Sequence, residues 1–120
     1  MANAGREDVA AFLKEVKSIA SRPNGIFVVR REKNRQTITN LGLTNSDITN
    51  TIKYLSVEDY CKGPESDKDA EGNLWFFGKE IRGNDIYIKL KISERNGRDT
   101  VYCISLHEPE YEIDYPYRDE

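Results

Sequence analysis

Three strand-like segments follow one another near the C-terminal end of the chain, separated only by short turns. They are residues 74–82, 85–92 and 100–107, which read "LWFFGKEIR", "DIYIKLKI" and "TVYCISLH". The Gly-Asn and Asn-Gly pairs between them are typical of tight hairpin turns. Because such turns leave too few residues for a crossover, the strands must pair antiparallel. The sequence therefore predicts a three-stranded antiparallel sheet.

The middle strand has one aliphatic face and one polar face. Its aliphatic residues alternate with a tyrosine and two lysines: Ile86, Ile88, Leu90 and Ile92 on one side, and Tyr87, Lys89 and Lys91 on the other. Side chains of a strand point alternately to its two sides, so this pattern predicts a core face and an open face. A two-residue turn at Gly83-Asn84 places Ile81 opposite Ile86 on the core face.

The register of the last strand depends on the turn before it. A three-residue loop at 95–97 with a glycine bulge places Ile88 opposite Ile104 and keeps the aliphatic face continuous. The open face then gains three side chains of the last strand: Cys103, Ser105 and His107. A two-residue turn would instead exchange the two faces of that strand, since a shift of one residue reverses every side chain.

The N-terminal half of the chain predicts helices. Residues 7–21 and 44–55 carry apolar residues at helical spacing, the second segment after a capping-box-like start at Thr44 and Asp47. The other predicted elements are a strand over 26–30, a short helix over 34–41 and a loop over 63–73. The expected fold class is α+β, an antiparallel β-sheet with the N-terminal helices packed on one face.

Acidic residues are concentrated at the C-terminal end. The chain has a net charge of −3, but residues 108–120 contain six acids and one arginine. The other 17 basic and 15 acidic residues give the body a net charge of +2, so it can still bind a polyanion. We expect one domain over residues 1–110 and an acidic tail over 111–120. The tail is solvated chain, or a segment whose Tyr111, Tyr115 and Tyr117 pack along the body, or a phosphate mimic that competes with a polyanion for the lysines.

Composition argues against several classes of protein. No apolar run is long enough to cross a bilayer, and the N-terminal residues lack the features of a secretory signal. Cys61 and Cys103 lie far apart, and with the lone His107 they form no zinc motif. Reduced thiols suit the cytoplasm. We therefore expect a cytoplasmic protein without a metal or another cofactor.

The open face contains the groups that RNA cleavage without a metal needs. A base takes the proton of a 2′-hydroxyl, the oxygen attacks the adjacent phosphate, and cations stabilise the developing charge. An acid then protonates the leaving 5′-oxygen, and a histidine can fill either proton-transfer role because it titrates near neutral pH. The candidate catalytic residues are His107, Tyr87, Lys62 and Lys89, and the candidate RNA-binding residues are Lys79, Lys91 and Phe76. Phe76 is predicted to stack on a base, and a bulge at Gly78 is predicted to turn Lys79 outward.

Other interpretations explain the same residues. Lysines alternating along a half-exposed strand are typical of a solvated face, and a lone histidine at a strand end is typical of a surface position. A non-catalytic module that binds RNA or protein through this face is a second functional interpretation. A metal-dependent nuclease is disfavoured, because the acids do not cluster on the core strands.

Three blocks of the chain resemble the MqsR-like branch of the RelE-type messenger RNA interferase toxins. They are "SVEDYCKGP", "LWFFGKEIRGNDIYIKLKI" and "VYCISLHE", and the preceding elements follow the family's order, so the resemblance covers roughly residues 8–110. It implies helices on one face of an antiparallel sheet and metal-independent endoribonuclease activity on single-stranded mRNA. It also implies neutralisation by a cognate antitoxin protein.

The resemblance assigns roles by position. The family's active-site lysine and tyrosine correspond to Lys62 and Tyr87, and Lys89 matches a further lysine of the same strand. His107 stands where the family has a lysine at the end of its last strand, and it retains a group that carries a proton. Phe76 replaces a glutamine after the tryptophan, so the family's base recognition does not carry over to it. The predicted function is an endoribonuclease toxin whose products carry 2′,3′-cyclic phosphate and 5′-hydroxyl ends.

Overall fold

Among residues 3–118, the three α-helices lie in the N-terminal half of the chain, and four of the five strands follow them. The computed structural model describes residues 3–118 and contains, in chain order, α1 (Arg6–Ala20), β1 (Ile26–Val28), α2 (Glu32–Leu41), α3 (Asn45–Lys53), a 3₁₀ turn (Val57–Asp59), β2 (Tyr60–Ser66), β3 (Asn73–Ile81), β4 (Asn84–Arg95) and β5 (Arg98–His107). The predicted helices are present, and Thr44 and Asp47 form the capping box of α3. None of the described helices is long and apolar enough to cross a membrane.

The described strands form one sheet in the order β1-β5-β4-β3-β2. All neighbouring strands are antiparallel except β1, which runs parallel to β5. Apolar side chains of α1 and α3 belong to one core with Ile86, Ile88 and Leu90, which are fully buried. Burial of each such side chain stabilises the fold by about 1.5–3 kcal/mol, so this core holds the helices on the sheet. The predicted α+β class is confirmed.

The turn between β3 and β4 lies one residue earlier than predicted. Arg82 and the glycine after it occupy the turn with φ values of 52° and 83°, which shifts the strand pairing by two residues. A positive φ is unfavourable for arginine, but its side chain donates hydrogen bonds to the Gly42 carbonyl (3.0 Å) and the Asp47 carboxylate (3.1 Å). The predicted pairing of Ile81 with Ile86 is therefore wrong. A shift of two residues nevertheless leaves every side chain on its predicted face.

The turn between β4 and β5 is the two-residue alternative. Residues 96–97 form it with φ values of 56° and 78°, so the predicted three-residue loop is wrong. As a result Cys103 faces the core and is fully buried, contrary to its predicted place on the open face. A bulge at Ile104 then shifts the register by one residue. This bulge returns Ser105 and His107 to the open face.

Asn34 of α2 holds this bulge in place. Its side-chain amide donates hydrogen bonds to the carbonyl groups of Val29 (2.9 Å) and Ile104 (3.0 Å). Its amide oxygen accepts a hydrogen bond from the backbone N–H of Leu106 (2.8 Å), and Asn34 is fully buried. A bulge leaves backbone groups without partners in the strand ladder, and buried groups of that kind need another partner. The last residues of β5 are therefore oriented by a side chain of a distant helix.

β2 occupies part of the segment that was predicted to be a loop. It extends to Ser66, so only residues 67–72 remain of the loop predicted over 63–73. Glu65 and Ser66 pair with Leu74 and Asn73 across an irregular register. Polar, turn-like residues can form such an edge strand because the pairing uses backbone groups and one side of the strand faces solvent.

Candidate active site

A groove lies on the open face of the sheet. Its volume of about 1050 Å³ is near the upper end of the range for small-molecule sites. Residues of β2, β4 and β5, the start of α2 and the C-terminal segment line it. All four predicted catalytic residues are among the lining side chains: Lys62, Tyr87, Lys89 and His107. The fold therefore brings together residues that span 46 positions of the chain, from 62 to 107 inclusive.

Tyr87 and His107 lie directly opposite each other on β4 and β5. Directly paired residues of neighbouring strands share a face, and their side chains are neighbours. The centroids of the two rings are 5.7 Å apart. The bulge at Ile104 produces this pairing, since without it the imidazole would be on the core side. A single ribose with its phosphate is long enough to contact both rings.

The imidazole of His107 is held in one tautomer. Its Nδ1 lies 2.9 Å from the carbonyl oxygen of Glu108. A carbonyl oxygen only accepts hydrogen bonds, so Nδ1 must carry the proton. In the neutral ring, Nε2 then has a free lone pair and can accept a proton from a ligand.

The Tyr87 phenol stays protonated at neutral pH. Desolvation by partial burial raises its pKa to about 12, and Cys61 and Glu65 act in the same direction. The ordinary pKa of a tyrosine is about 10. The phenol is therefore a hydrogen-bond donor in this groove and not a phenolate base.

Two lysines present positive charge to the groove at different depths. Lys89 is half-buried, and burial followed by the charge of Arg31 lowers the pKa of its ammonium group. Lys62 is more exposed, and its Nζ lies 3.4 Å from the carboxylate of Glu65. Because partly desolvated charges are less screened than charges in water, the groove favours an anionic ligand near Lys89.

Phe76 lies on the open face but is not exposed. Only 4% of its surface is accessible. The Nζ atoms of Lys62 and Lys89 lie 4.6 and 5.5 Å from the centroid of its ring, and the ring of Tyr87 is 6.0 Å away. Cation–π attraction holds the two ammonium groups over the aromatic ring. Phe76 is therefore not the exposed ring that stacking on a base requires, and it instead packs against the ammonium groups of the two lysines.

Lys79 and Lys91 do not line the groove. The predicted bulge at Gly78 is absent, because β3 and β4 pair without interruption through it, and Lys79 instead lies 3.2 Å from the carboxylate of Asp59. Lys91 is buried and lies 2.7 Å from the carboxylate of Asp67, a hydrogen bond that lowers the pKa of that carboxyl group. Both ammonium groups are thus paired with buried or half-buried acids away from the groove, and their role in RNA binding stays a prediction.

The C-terminal segment folds back over the sheet and forms one wall of the groove. Residues 109–114 are among its lining residues. Ile113 and Tyr115 lie directly over Gly78, where a Cβ atom would come within 2.8 Å of the Ile113 Cδ1 and closer still to the Tyr115 hydroxyl. The glycine is therefore needed for this close packing and not for a bulge.

Two further contacts anchor the end of this segment. The ring of Tyr117 stacks on Tyr60 with 5.7 Å between centroids, and the guanidinium of Arg118 lies 3.5 Å from the Asp59 carboxylate. Residues 119 and 120 of the predicted tail lie outside the described residues, and the division of the chain at residue 110 stays a prediction. The contacts nevertheless place an acidic stretch of chain beside the groove.

Sequence reasoning missed two basic residues of the groove. Arg31 and Lys33, at the start of α2, both line it, and Lys33 forms an ion pair with Glu110 of the C-terminal segment. The available signal was the run "RREK", residues 30–33, which begins at the last residue of a predicted strand. Spacing alone does not reveal that this strand lies beside the one that carries His107. The parallel pairing of β1 with β5 brings them together.

The sequence also matches a known protein family. The family described as "Motility quorum-sensing regulator, toxin of MqsA" matches residues 10–108. The chain belongs to the MqsR toxin family. Members of this family are toxins of toxin–antitoxin systems, and membership implies a cognate antitoxin partner. No curated protein and no solved structure matches the chain.

The match to the MqsR toxin family bears on the groove in two ways. It confirms the resemblance predicted from the three sequence blocks. It also spans all four groove residues predicted to be catalytic, whereas it ends at residue 108, just before the C-terminal segment. Residues 109–114, which form the acidic wall of the groove, therefore lie outside the part of the chain that matches the family.

Proposed function

We propose that this MqsR-family toxin is a cytoplasmic messenger RNA interferase, which cleaves single-stranded RNA without a metal ion and is neutralised by its antitoxin. The observation that carries the proposal is the direct pairing of His107 with Tyr87 in a groove that also holds Lys62 and Lys89. A base, a neutral donor and two cations are the groups that cleavage through a 2′-hydroxyl requires. Membership of a toxin family supports the same conclusion.

In the proposed reaction, Nε2 of His107 takes the proton of a ribose 2′-hydroxyl. The O2′ forms a bond to the adjacent phosphorus while the bond from phosphorus to O5′ breaks, which leaves a 2′,3′-cyclic phosphate. The phenol of Tyr87, which is protonated at neutral pH, donates its proton to the leaving O5′ and produces a 5′-hydroxyl. The proton on His107 then returns to the phenolate through solvent, so both groups regain their starting states.

Lys89 and Lys62 are proposed to stabilise the phosphate oxygens as negative charge builds up on them. Their ammonium groups are held over the ring of Phe76, so little reorganisation is needed when the substrate reacts. Fixed groups of this kind are effective because their orientation is established before the charge develops. Removing one typically reduces the rate by about 10²- to 10³-fold.

Incubation of the purified protein with single-stranded RNA in EDTA tests the proposal. We expect cleavage to continue, with 2′,3′-cyclic phosphate and 5′-hydroxyl ends identified by end-group analysis. An RNA with 2′-O-methyl riboses is the matched control and should remain intact, because it has no 2′-hydroxyl proton to remove. Binding of RNA without cleavage would favour the non-catalytic module. Activity that EDTA abolishes and Mg²⁺ restores would point to the metal-dependent mechanism.

The acidic wall is proposed to compete with RNA for the cations of the groove. Replacing Glu110 and Glu112 by Gln and Asp114 by Asn should strengthen binding of 2′-O-methyl RNA several-fold at low salt, partly because Lys33 loses its carboxylate partner. The gain should fade as salt rises, since exposed charges are screened. Fluorescence anisotropy over a salt series measures both effects. Substitution is preferable to deletion, because Tyr117 packs against the core.

A second triple variant separates local competition from a change in total charge. It neutralises three exposed acids that do not line the groove: Glu15, Glu80 and Glu94. The two variants have the same net charge. Equal gains in affinity for both would show that the acidic wall has no specific effect on RNA binding.

A further inference from the structure

Two basic side chains of the groove have no acidic partner among residues 3–118. Arg31 and Lys89 both line the groove, and neither takes part in any ion pair formed by these residues. The two other basic residues of the groove differ in this respect. Lys33 is paired with Glu110, and Lys62 lies 3.4 Å from Glu65. The described part of the groove thus contains two basic side chains that form no ion pair with its acids.

These two charges act on each other. Burial first, and the guanidinium of Arg31 second, lower the pKa of Lys89, so the neighbouring cation disfavours its charged form, while the carboxylates of Asp67 and Glu65 act in the opposite direction. Two like charges that share a partly desolvated site are unfavourable unless an anion lies between them. An anion bound there would relieve the repulsion and favour the charged form of the lysine.

The position of Arg31 is set by the backbone of the sheet. The residue immediately precedes α2, its N–H donates a hydrogen bond to the Val29 carbonyl (3.0 Å), and the Val29 N–H donates to the Cys103 carbonyl (3.0 Å). The chain carrying Arg31 is thus bonded to β5, the strand that carries His107. The guanidinium is exposed at the groove but starts from an ordered backbone, which limits the entropy lost when it binds a ligand.

The surrounding groups supply donors for the several oxygens of a tetrahedral oxyanion. A guanidinium donates two parallel hydrogen bonds to a phosphate, and an ammonium group can approach the remaining oxygens as a point charge. The hydroxyl groups of Tyr87 and Ser105 also line the groove and can donate to oxygens that the two cations leave free. Ser105 pairs directly with Lys89 across β4 and β5, so its hydroxyl lies on the same face.

We propose that Arg31 and Lys89 together bind one phosphate of the RNA backbone, which makes Arg31 a substrate-binding residue of the groove. This assignment rests on the proposed ribonuclease function and adds a residue to it. Arg31 supplies the directional contact, and Lys89 supplies charge at the more buried end. The phosphate so bound holds the ribose beside His107 and Tyr87, which lie on the same sheet face.

A salt series with uncleavable RNA tests this assignment. Binding of a fluorescent 2′-O-methyl oligonucleotide is measured for the wild type, Arg31→Ala and Arg30→Ala. Arg30 is the neighbouring exposed arginine and does not line the groove, so its replacement changes the net charge equally. We expect Arg31→Ala to weaken binding about 10- to 100-fold at low salt, as for loss of a hydrogen-bonded ion pair. We also expect the slope of log K against log salt to fall by about 0.7, the value for one phosphate contact on a single strand.

Three outcomes would overturn the phosphate assignment. Equal effects of Arg31→Ala and Arg30→Ala would show that only net charge matters. Weaker binding with an unchanged salt slope would indicate that Arg31 stacks on a base. An Arg31→Lys variant that binds as tightly as the wild type would show that the directional guanidinium contact is not what the site uses. The melting temperature of each variant verifies that the protein is folded.

Failure of this assignment can be distinguished from failure of the proposed function. If the wild type binds RNA with the Arg31-dependent salt slope but does not cleave it, the phosphate assignment stands and the proposed ribonuclease function is wrong. If the wild type cleaves RNA but Arg31→Ala binds RNA like Arg30→Ala, the proposed ribonuclease function stands and the phosphate assignment is wrong.

Discussion

Replacing His107 by Ala is expected to reduce the rate of RNA cleavage by about 10²- to 10⁴-fold, the range for loss of a general acid or base. The reason is the position of its Nε2, which is free to accept a proton while Nδ1 is bonded to the carbonyl of Glu108. The measurement is single-turnover cleavage of a labelled RNA with saturating protein. Under these conditions the rate reports the chemical step and not the affinity.

Two controls identify proton transfer as the cause of the His107→Ala effect. Affinity for 2′-O-methyl RNA should change little, because the lysines and Arg31 remain. Added imidazole should restore part of the cleavage rate, since it can enter the space left by the ring and accept the proton. A variant that cleaves RNA as fast as the wild type would remove His107 from the mechanism, and Tyr87 would become the remaining proton-carrying candidate.

Replacing Asn34 by Ala is expected to have the second largest effect, although this residue does not line the groove. The change leaves the carbonyl of Ile104 and the N–H of Leu106 without the side-chain partner that the structure gives them. Leaving buried groups of this kind unpaired destabilises a protein by about 1–3 kcal/mol each, so the free energy of unfolding should fall by about 3 kcal/mol. Urea denaturation measures that loss.

The same replacement should also slow cleavage, because the bulge that Asn34 holds positions His107. A displacement of about 1 Å at a catalytic group can reduce the rate roughly 10²-fold. Asn40→Ala, an exposed asparagine of the same helix, is the matched control and should have little effect on either quantity.

A double-mutant cycle distinguishes positioning of His107 from general destabilisation. If Asn34 acts through His107, Asn34→Ala should slow cleavage far less in a His107→Ala background than in the wild type. The loss of stability should be similar in both backgrounds. Equal slowing in both backgrounds would show that Asn34 acts only on the stability of the fold.

Alternation along β4 was sufficient to predict the two faces of the sheet. Ile86, Ile88 and Leu90 are buried, while Tyr87 and Lys89 line the groove. The turn before β4 was predicted one residue too late, which shifts the pairing of β3 with β4 by two residues. The prediction of the faces remains correct, because side chains point to the same face at every second residue of a strand. A local pattern of this kind depends only on neighbouring residues, so it can be interpreted without knowledge of the remaining chain.

Local patterns failed wherever a distant residue determined the environment. Lys91 has the same spacing as Lys89, but Asp67 covers it and Lys89 remains beside the groove. Phe76 was correctly placed on the open face, yet the ammonium groups of two lysines cover its ring. The choice between exposed and covered positions depends on chain segments that no periodicity describes.

The sequence by itself determined the α+β class, the main helices and the faces of β4, because these follow from side-chain spacing within single segments. Only the tertiary structure decided that His107 lies on the face of Tyr87. That placement required a bulge at Ile104, and the bulge is held by Asn34, which is 70 positions away in the chain. The tertiary structure also brought Arg31 beside Lys89 through the parallel pairing of β1 with β5. Contacts between distant residues form only when the chain has folded, and spacing along the sequence does not record them.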